Sequence, residues 1–401
     1  MDCDVLVVGL GPAGCGAAQA AAAAGAKVLA IDRKKEIGVP VQCGEVIGKG
    51  LLRSSGLKLP RQAICSHQDH TRFVIDRSIS IRNYAEQWAS VSVERKILDK
   101  LLAARAATEG ASVQADTTLI DLDINGDIVE SATLRMRGRD VTVHPKTLIA
   151  ADGVHSTVAK MTGVCWSSPD MVAHGGEFEM ISKRPLPRCM QIFIEEEVGL
   201  GYGWIIPKGR KRANVGLAEV GDRGRIRDRV EKWVEDNPIV SHYFDTDCII
   251  EVKSGDAPVP GFQGGPVRGN VLYTGDAAGQ TLAFVGEGIV PAYLCGLVAG
   301  ECAARSPEMY DSVLRERMGD EMDYASDLKD VILSVWQDES LNLHQRFLVA
   351  GMVMSESISP ESLEKLIDGE MPSFQELKKM AGSSNPHVRM SRMIGRRRYK
   401  G

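Results

Sequence analysis

A chain of 401 residues, 44% hydrophobic and 25% charged, is long enough for two or three packed subdomains and has the composition of an ordinary globular protein. Its formal net charge of −5 argues against general nucleic-acid binding, and nine cysteines with no CxxC pair or metal-ligand spacing fit a reduced, cytoplasmic setting without a metal. The first apolar strand begins at Asp4, which leaves no space for a secretory leader, and the longest apolar stretch, residues 282–304, is interrupted by Glu287, Pro291 and Glu301 and reads as a buried helix.

In chain order, "DVLVVGLGPAGCGAAQAAAAAGAKVLAID" reads as strand, glycine turn, alanine-rich helix and strand, a βαβ unit whose small helical side chains allow close packing on the sheet. In "VERKILDKLLAARAATEG", Ile97, Leu98, Leu101 and Leu102 recur at helical spacing and Gly110 supplies the stop. "SVQAD" follows as a strand. "TLIDLDIN" and "SATLRMRGRDVTVH" alternate around a turn at Asn125–Asp127, and "TLIAADG" closes as another strand. From Trp166 to Gly255 the pattern is mostly strand-like, broken by a helix near Arg225–Glu235. "NVLYTGDAAG" then leads through a glycine-rich turn into the apolar helix. After Pro307 the chain reads as helical, with a break near Asn385 and a basic tail. The expected architecture is α/β (α+β overall). It has a Rossmann-like domain from residues 1–60, 88–165 and 260–305, a second β-sheet substrate domain from 61–87 and 166–259, and a C-terminal helical region over 306–401.

Gly9, Gly11 and Gly14 form GxGxxG between strand and helix, and Asp32 ends the next strand about 20 residues on, the place of a ribose-binding carboxylate. Gly9 allows the turn, Gly11 lets a pyrophosphate approach the backbone, and Gly14 lets helix and strand pack. Two later strand ends carry "ADGVHS", with Asp152 and Gly153, and "GDAAG", with Gly275 and Asp276. In this order the three motifs resemble those of the para-hydroxybenzoate hydroxylase-like flavoproteins. The resemblance implies FAD, held by the first turn (Gly9, Gly11, Pro12, Ala13, Gly14), by Asp32 and Arg33, by Cys43 and Gly44, and by the two later motifs. Gly286, Gly288 and Ile289 would lie near the isoalloxazine. No second GxGxxG stands for a resident nicotinamide nucleotide, so electrons are expected from a transient donor such as ferredoxin or NAD(P)H.

"PVQCGE" and "GYGWIIPKG…ANVGLA" resemble segments of the geranylgeranyl reductases, which saturate isoprenoid chains of archaeal-type membrane lipids. The resemblance implies a prenylated lipid substrate. It places Cys43 near the reacting alkene as proton donor, relay or gate, against the plain reading of a small buried hydrophobe. Glu45 reads either as a structural partner of its loop or as part of a proton path, and Tyr202 and Trp204 either as the wall of an apolar tunnel or as core packing. Three residues depart from the family pattern: Val46, Ile206, and Glu287, whose carboxylate would oppose an anionic flavin. "YGWIIP" also approaches the W-x-W-x-I-P of flavin-dependent halogenases, so a monooxygenase or halogenase is the competing activity. A non-catalytic prenyl-lipid carrier is the competing class. The runs "PKGRKR" (Lys208, Arg210, Lys211, Arg212) and "RMSRMIGRRRYKG" suit either a peripheral contact with anionic lipid or a solvated surface.

Overall fold

The computed structural model describes residues 1–354 except 78, 167, 222, 223, 262, 263, 284, 285 and 340. The break near Asn385 and the basic tail lie outside the described residues.

The predicted βαβ unit forms from β1 (Asp2–Val8), α1 (Pro12–Ala23) and β2 (Val28–Ile31). Then come β3 (Val46–Gly48), α2 (Lys49–Ser55), β4 (Ile64–Gln68), β5 (His70–Ile75), β6 (Ile79–Asn83), β7 (Ser90–Val93) and α3 (Arg95–Thr108). A run of strands follows: β8 (Ser112–Gln114), β9 (Thr117–Asn125), β10 (Ile128–Met136) and β11 (Arg139–Ala150). The stretch read as one strand after the Asn125–Asp127 turn is two, because Arg137 and Gly138 both take positive φ and make a second hairpin turn. β11 is correspondingly longer than expected. Its first part pairs antiparallel with β10, and the remainder runs parallel to β1 from His144 to Ala150, where the strand read from "TLIAADG" lies.

Next come α4 (Thr157–Thr162), β12 (Val172–Ile181), β13 (Cys189–Ile194), β14 (Gly201–Pro207), β15 (Arg212–Val220), α5 (Ile226–Asp236), α6 (Pro238–Ser241) and β16 (Ile249–Pro258). The described chain ends with β17 (Val267–Arg268), β18 (Val271–Tyr273), α7 (Ile289–Arg305), α8 (Tyr310–Gln337) and α9 (Leu343–Met354).

Three sheets organise these elements. The first has the order β17-β18-β11-β1-β2-β8, with β10 and β9 added through β11. Strand alternation divides its core: Val5, Val7 and Ile149 face α1, α3 and α7, while Leu6, Val8 and Leu148 face the β9–β10 hairpin and α4. The second sheet has the order β16-β12-β15-β14-β13-β5-β6. Its back packs on α5 and α6 around Phe178, Phe193 and Trp233, and part of its front packs on α8 and α9 around Phe73, Ile192 and Phe347. The third, β3-β7-β4, is built from segments that flank β5 and β6 in the chain. Of the segment 61–87 read as part of the substrate domain, β5 and β6 join the large sheet; β4 instead pairs with β7, beside β3.

The alanine-rich helix packs on the sheet as expected and also lies against α7, closely enough to need glycine. A Cβ at Gly296 would stand 2.0 Å from the Ala13 carbonyl oxygen, one at Gly300 2.2 Å from that of Ala17, and one at Gly16 2.5 Å from that of Tyr293. Small residues on both helices let the backbones touch. Gly296→Val is expected to destabilise the fold by about 1–3 kcal/mol, because backbone cannot yield as a side-chain tip can. Urea unfolding checks it, and an unchanged midpoint would rule out this contact.

Candidate active site

A cavity of about 2440 Å³ runs between the first sheet and the front of the second, and extends along α2, α7 and α8. Two helices begin at its wall without a capping side chain: α1, with Gly11 before Pro12, and α7, after Gly288. Free N–H groups and the helix dipole make each an anion-favouring end. A Cβ on Gly11 would meet nothing within 4 Å, nor would one on Gly153, so both leave the cavity open at the main chain. Gly9 (φ +98°) and Gly14 serve packing instead: a Cβ at Gly14 would lie 1.8 Å from the Gly9 oxygen. Gly275 takes positive φ against the Ala13 methyl.

The three predicted aspartates differ in what they do. Asp32 accepts from the amides of Leu10 (2.9 Å) and Lys34 (2.8 Å), which ties the end of β2 to the glycine turn, and Arg33 lines the cavity beside it. Asp152 accepts from Ser156 Oγ and the amides of Thr157 and Val158, so its carboxylate caps α4. Asp276 faces the cavity with no hydrogen-bond donor on its carboxylate among the described residues. Burial pushes it up to about 6, against the opposing pull of Arg95. Open main chain at the start of α1, a carboxylate facing the cavity and a second helix end fit FAD. On this fit Gly11, Pro12, Ala13, Arg33, Gly153 and Asp276 would hold it, with Gly286, Gly288 and Ile289 toward its ring.

The loop carrying the predicted thiol is held by charge. Glu45 is fully buried in a left-handed conformation (φ +61°), which costs a non-glycine residue of order 1–3 kcal/mol. Its carboxylate receives Lys208 Nζ and Lys253 Nζ, each at 2.7 Å, Asn214 Nδ2 at 3.0 Å and the Arg95 amide at 2.8 Å. Desolvation raises its pKa, but the two ammonium charges win and hold it at about 2. Glu45 is thus held as the carboxylate near neutral pH, which favours the structural one of its two readings, a partner of its loop. Lys208 also reaches Glu179 (2.9 Å) and Glu94 (3.1 Å), filling the space among the three clustered carboxylates that a cation would need. It is thus no surface lysine, and Arg212 is committed to Glu179 at 2.8 Å, so of the "PKGRKR" run only Arg210 and Lys211 are exposed.

Cys43 lines the cavity half-buried, with its Sγ receiving the Glu45 amide at 3.3 Å. Burial pushes the thiol up, against the nearby Arg95 guanidinium, so it is a neutral S–H. Gly44 beside it packs close to the sheet: a Cβ there would stand 3.2 Å from Ile206 Cδ1. Tyr202, Trp204 and Ile206 alternate along β14 onto the cavity face, joined by Met190 and Ile192 of β13 and Ala218 and Val220 of β15. Trp204 lies against Gly216, donates Nε1–H to Glu177 Oε2 at 2.7 Å and meets Tyr202 edge-on at 5.8 Å. Glu287 accepts from the Gly48 amide at 3.0 Å, and burial pushes it up to about 7, which removes much of the charge that would oppose an anionic flavin.

Sequence reading missed Glu177, Glu179, Lys208, Asn214, Lys253 and Arg95 as members of the site. The available signal was strand alternation, since Glu177 and Glu179 share a face of β12, and Trp204, Ile206 and Lys208 share one register. Lys208→Met should destabilise the fold by about 3–5 kcal/mol, because it leaves buried carboxylates uncompensated. In the wild type, Glu45 contributes about 3 kcal/mol, fully present above its unfolded value of 4.5 and lost as pH falls toward about 2. Chemical denaturation across pH 2–6 measures both effects, and an acid limb of equal depth in Lys208→Met would contradict the assignment.

Comparison with known proteins agrees with this geometry. A family model described as an FAD binding domain matches residues 2–289. The digeranylgeranylglycerophospholipid reductase of Methanosarcina acetivorans is 32% identical over 357 residues, covering 84% of this chain and 86% of the relative. That of Methanocaldococcus jannaschii is 35% identical over 318 residues, 77% and 78% of the two chains. Among solved structures, a geranylgeranyl bacteriochlorophyll reductase-like protein from Thermoplasma acidophilum superimposes with a TM-score of 0.75 at 25% identity, over 98% of this chain and 99% of that one. The chain belongs to the digeranylgeranylglycerophospholipid reductase family of FAD-binding proteins.

Proposed function

We propose that this protein is an FAD-dependent reductase that saturates the isoprenoid double bonds of an archaeal-type membrane-lipid precursor. The observation that carries the reading is a single cavity in which a neutral thiol and an aromatic strand face two uncapped helix ends. Bound and reduced, FAD supplies a hydride to one carbon of the alkene. An isolated alkene has no carbonyl to polarise, so the protein's task is to hold it in register and deliver a proton to the other carbon.

Cys43 is the cavity group suited to that proton, as a neutral S–H on a loop immobilised by Glu45. Tyr202, Trp204 and Ile192 offer the prenyl chain an apolar wall, which continues past α7 and α8 along Leu297, Val298 and Met318. The donor of electrons is a ferredoxin-type carrier or a reduced nicotinamide. Contact with a lipid surface would be peripheral, since no helix among the described residues is long and apolar enough to cross a membrane.

Anaerobic incubation of the dithionite-reduced holoprotein with digeranylgeranylglycerol phospholipid should give products heavier by two hydrogens per bond in the mass spectrum. Unchanged lipid would refute the reading. Cys43→Ser should retain FAD and lose on the order of 10²-fold in turnover, the contribution of one positioned acid.

A further inference from the structure

The charges around the Cys43 loop do not close unless one carboxyl carries a proton. Lys208, Lys253 and Arg212 face Glu45, Glu94 and Glu179, three cations against three carboxylates, before Glu177 is counted. Glu177 is a fourth carboxyl, 4% exposed, hydrogen-bonded to Lys253 Nζ at 3.1 Å on one oxygen and to Trp204 Nε1 on the other. Ionised, it would leave a net negative charge in a desolvated cluster, a costly state unless a proton neutralises it.

Its position gives that proton somewhere to go. Glu177 lines the cavity at the point where the front of the large sheet passes from ionic residues (Glu179, Lys208, Asn214, Lys253) to apolar ones (Trp204, Tyr202, Ala218, Val220). The Gly44 main chain sits directly over it: a Cβ at Gly44 would be 3.7 Å from Glu177 Oε2. Cys43 is the preceding residue and is electrostatically coupled to this carboxylate.

We propose that Glu177 is the proton-relay residue of the site, which returns a proton to Cys43 after the thiol has protonated the alkene. The inference rests on the lipid-reductase reading. In the balanced step, with one C–H bond formed by the hydride that bound, reduced FAD would supply, the Cys43 S–H breaks as the second C–H bond forms. The Glu177 O–H then breaks as the Cys43 S–H re-forms, and one net proton from bulk solvent restores the Glu177 O–H. Each double bond consumes one hydride and one proton.

The groups facing Glu177 are Glu179 on its own strand, Trp204 on β14 and Lys208 just after it, Asn214 on β15, Lys253 on β16, and Cys43 and Glu45 from the loop above, with Arg95 and its partner Asp99 behind Cys43. Burial, opposed by Lys253 and the Trp204 N–H, pushes the carboxyl up to about 7, so its acid form is lost as pH rises through neutrality.

Glu177→Gln tests the relay while keeping an acceptor for Trp204. Wild-type turnover should fall about tenfold per pH unit above about 7. The variant should retain FAD, turn over at least tenfold more slowly and lack that limb. Glu287→Gln, which removes the other cavity carboxyl of similar pKa, should keep it. A limb that persists in Glu177→Gln, or disappears only in Glu287→Gln, would overturn the proposal. A second readout needs no substrate: alkylation of Cys43 by iodoacetamide in oxidised holoprotein, followed by peptide mass spectrometry. Without the Glu177 carboxylate opposing the thiolate, alkylation at pH 8 should be several-fold faster; an unchanged rate would also overturn the coupling. If the wild type leaves the lipid unreduced, the functional reading falls by itself, and the alkylation rates still decide whether Glu177 and Cys43 are coupled.

Discussion

The structure depends on the burial of Glu45 between two ammonium groups. Lys208 comes from the end of β14 and Lys253 from β16, while Glu45 leads into β3. One carboxylate therefore fastens the Cys43 loop to the large sheet, and its second oxygen fastens it to the first residue of α3. Gln68 and Ser92 reinforce the same seam by donating together to the Pro207 carbonyl. Partial pairing would be worse than none in such a desolvated place, because any unpaired charge keeps its full desolvation cost. The network is rigid for that reason, and rigidity is what a proton donor beside an unpolarised alkene requires.

Around this anchor the cavity holds protons and anions in different places. The beginnings of α1 and α7 favour negative charge through free amides and the helix dipole. The carboxyls between them, Asp276, Glu177 and Glu287, are pushed upward by burial. Phosphate and reduced flavin can thus be accommodated as anions at helix ends while nearby acids stay partly protonated. Glu287 shows the balance: it interrupts the glycine run of the family pattern, and its bond to the Gly48 amide joins the turn before α7 to the end of β3. A position that looks disruptive in the sequence is accommodated by desolvation and one hydrogen bond.

The glycine turn and the carboxylate that braces it were legible because their parts are local. Gly9, Gly11, Gly14 and Asp32 lie within one βαβ unit, where turn geometry dictates residue type. Tyr202 and Trp204 were legible as a pair by alternation, and Cys43 by its motif. The partners of Glu45 were not, because Lys208 and Lys253 are 163 and 208 residues away and nothing local marks them as buried. A lysine in the run "PKGRKR" has the same local signature whether it meets water or a carboxylate. The second turn at Arg137–Gly138 escaped notice because the residues around it alternate as a continuous strand would.

By itself the sequence determined the first βαβ unit, the FAD-type turn, the strand-rich character of residues 166–255 and the presence of a thiol after the second strand. These follow from backbone sterics and from side-chain spacing along one element. The tertiary structure alone decided which charges are paired, which carboxyls burial pushes upward and which glycines are compelled by contact with another helix. Those outcomes depend on desolvation and on distances between residues far apart in the chain. The sheet register that brings Glu45, Glu177, Lys208 and Lys253 together is a property of the assembled fold.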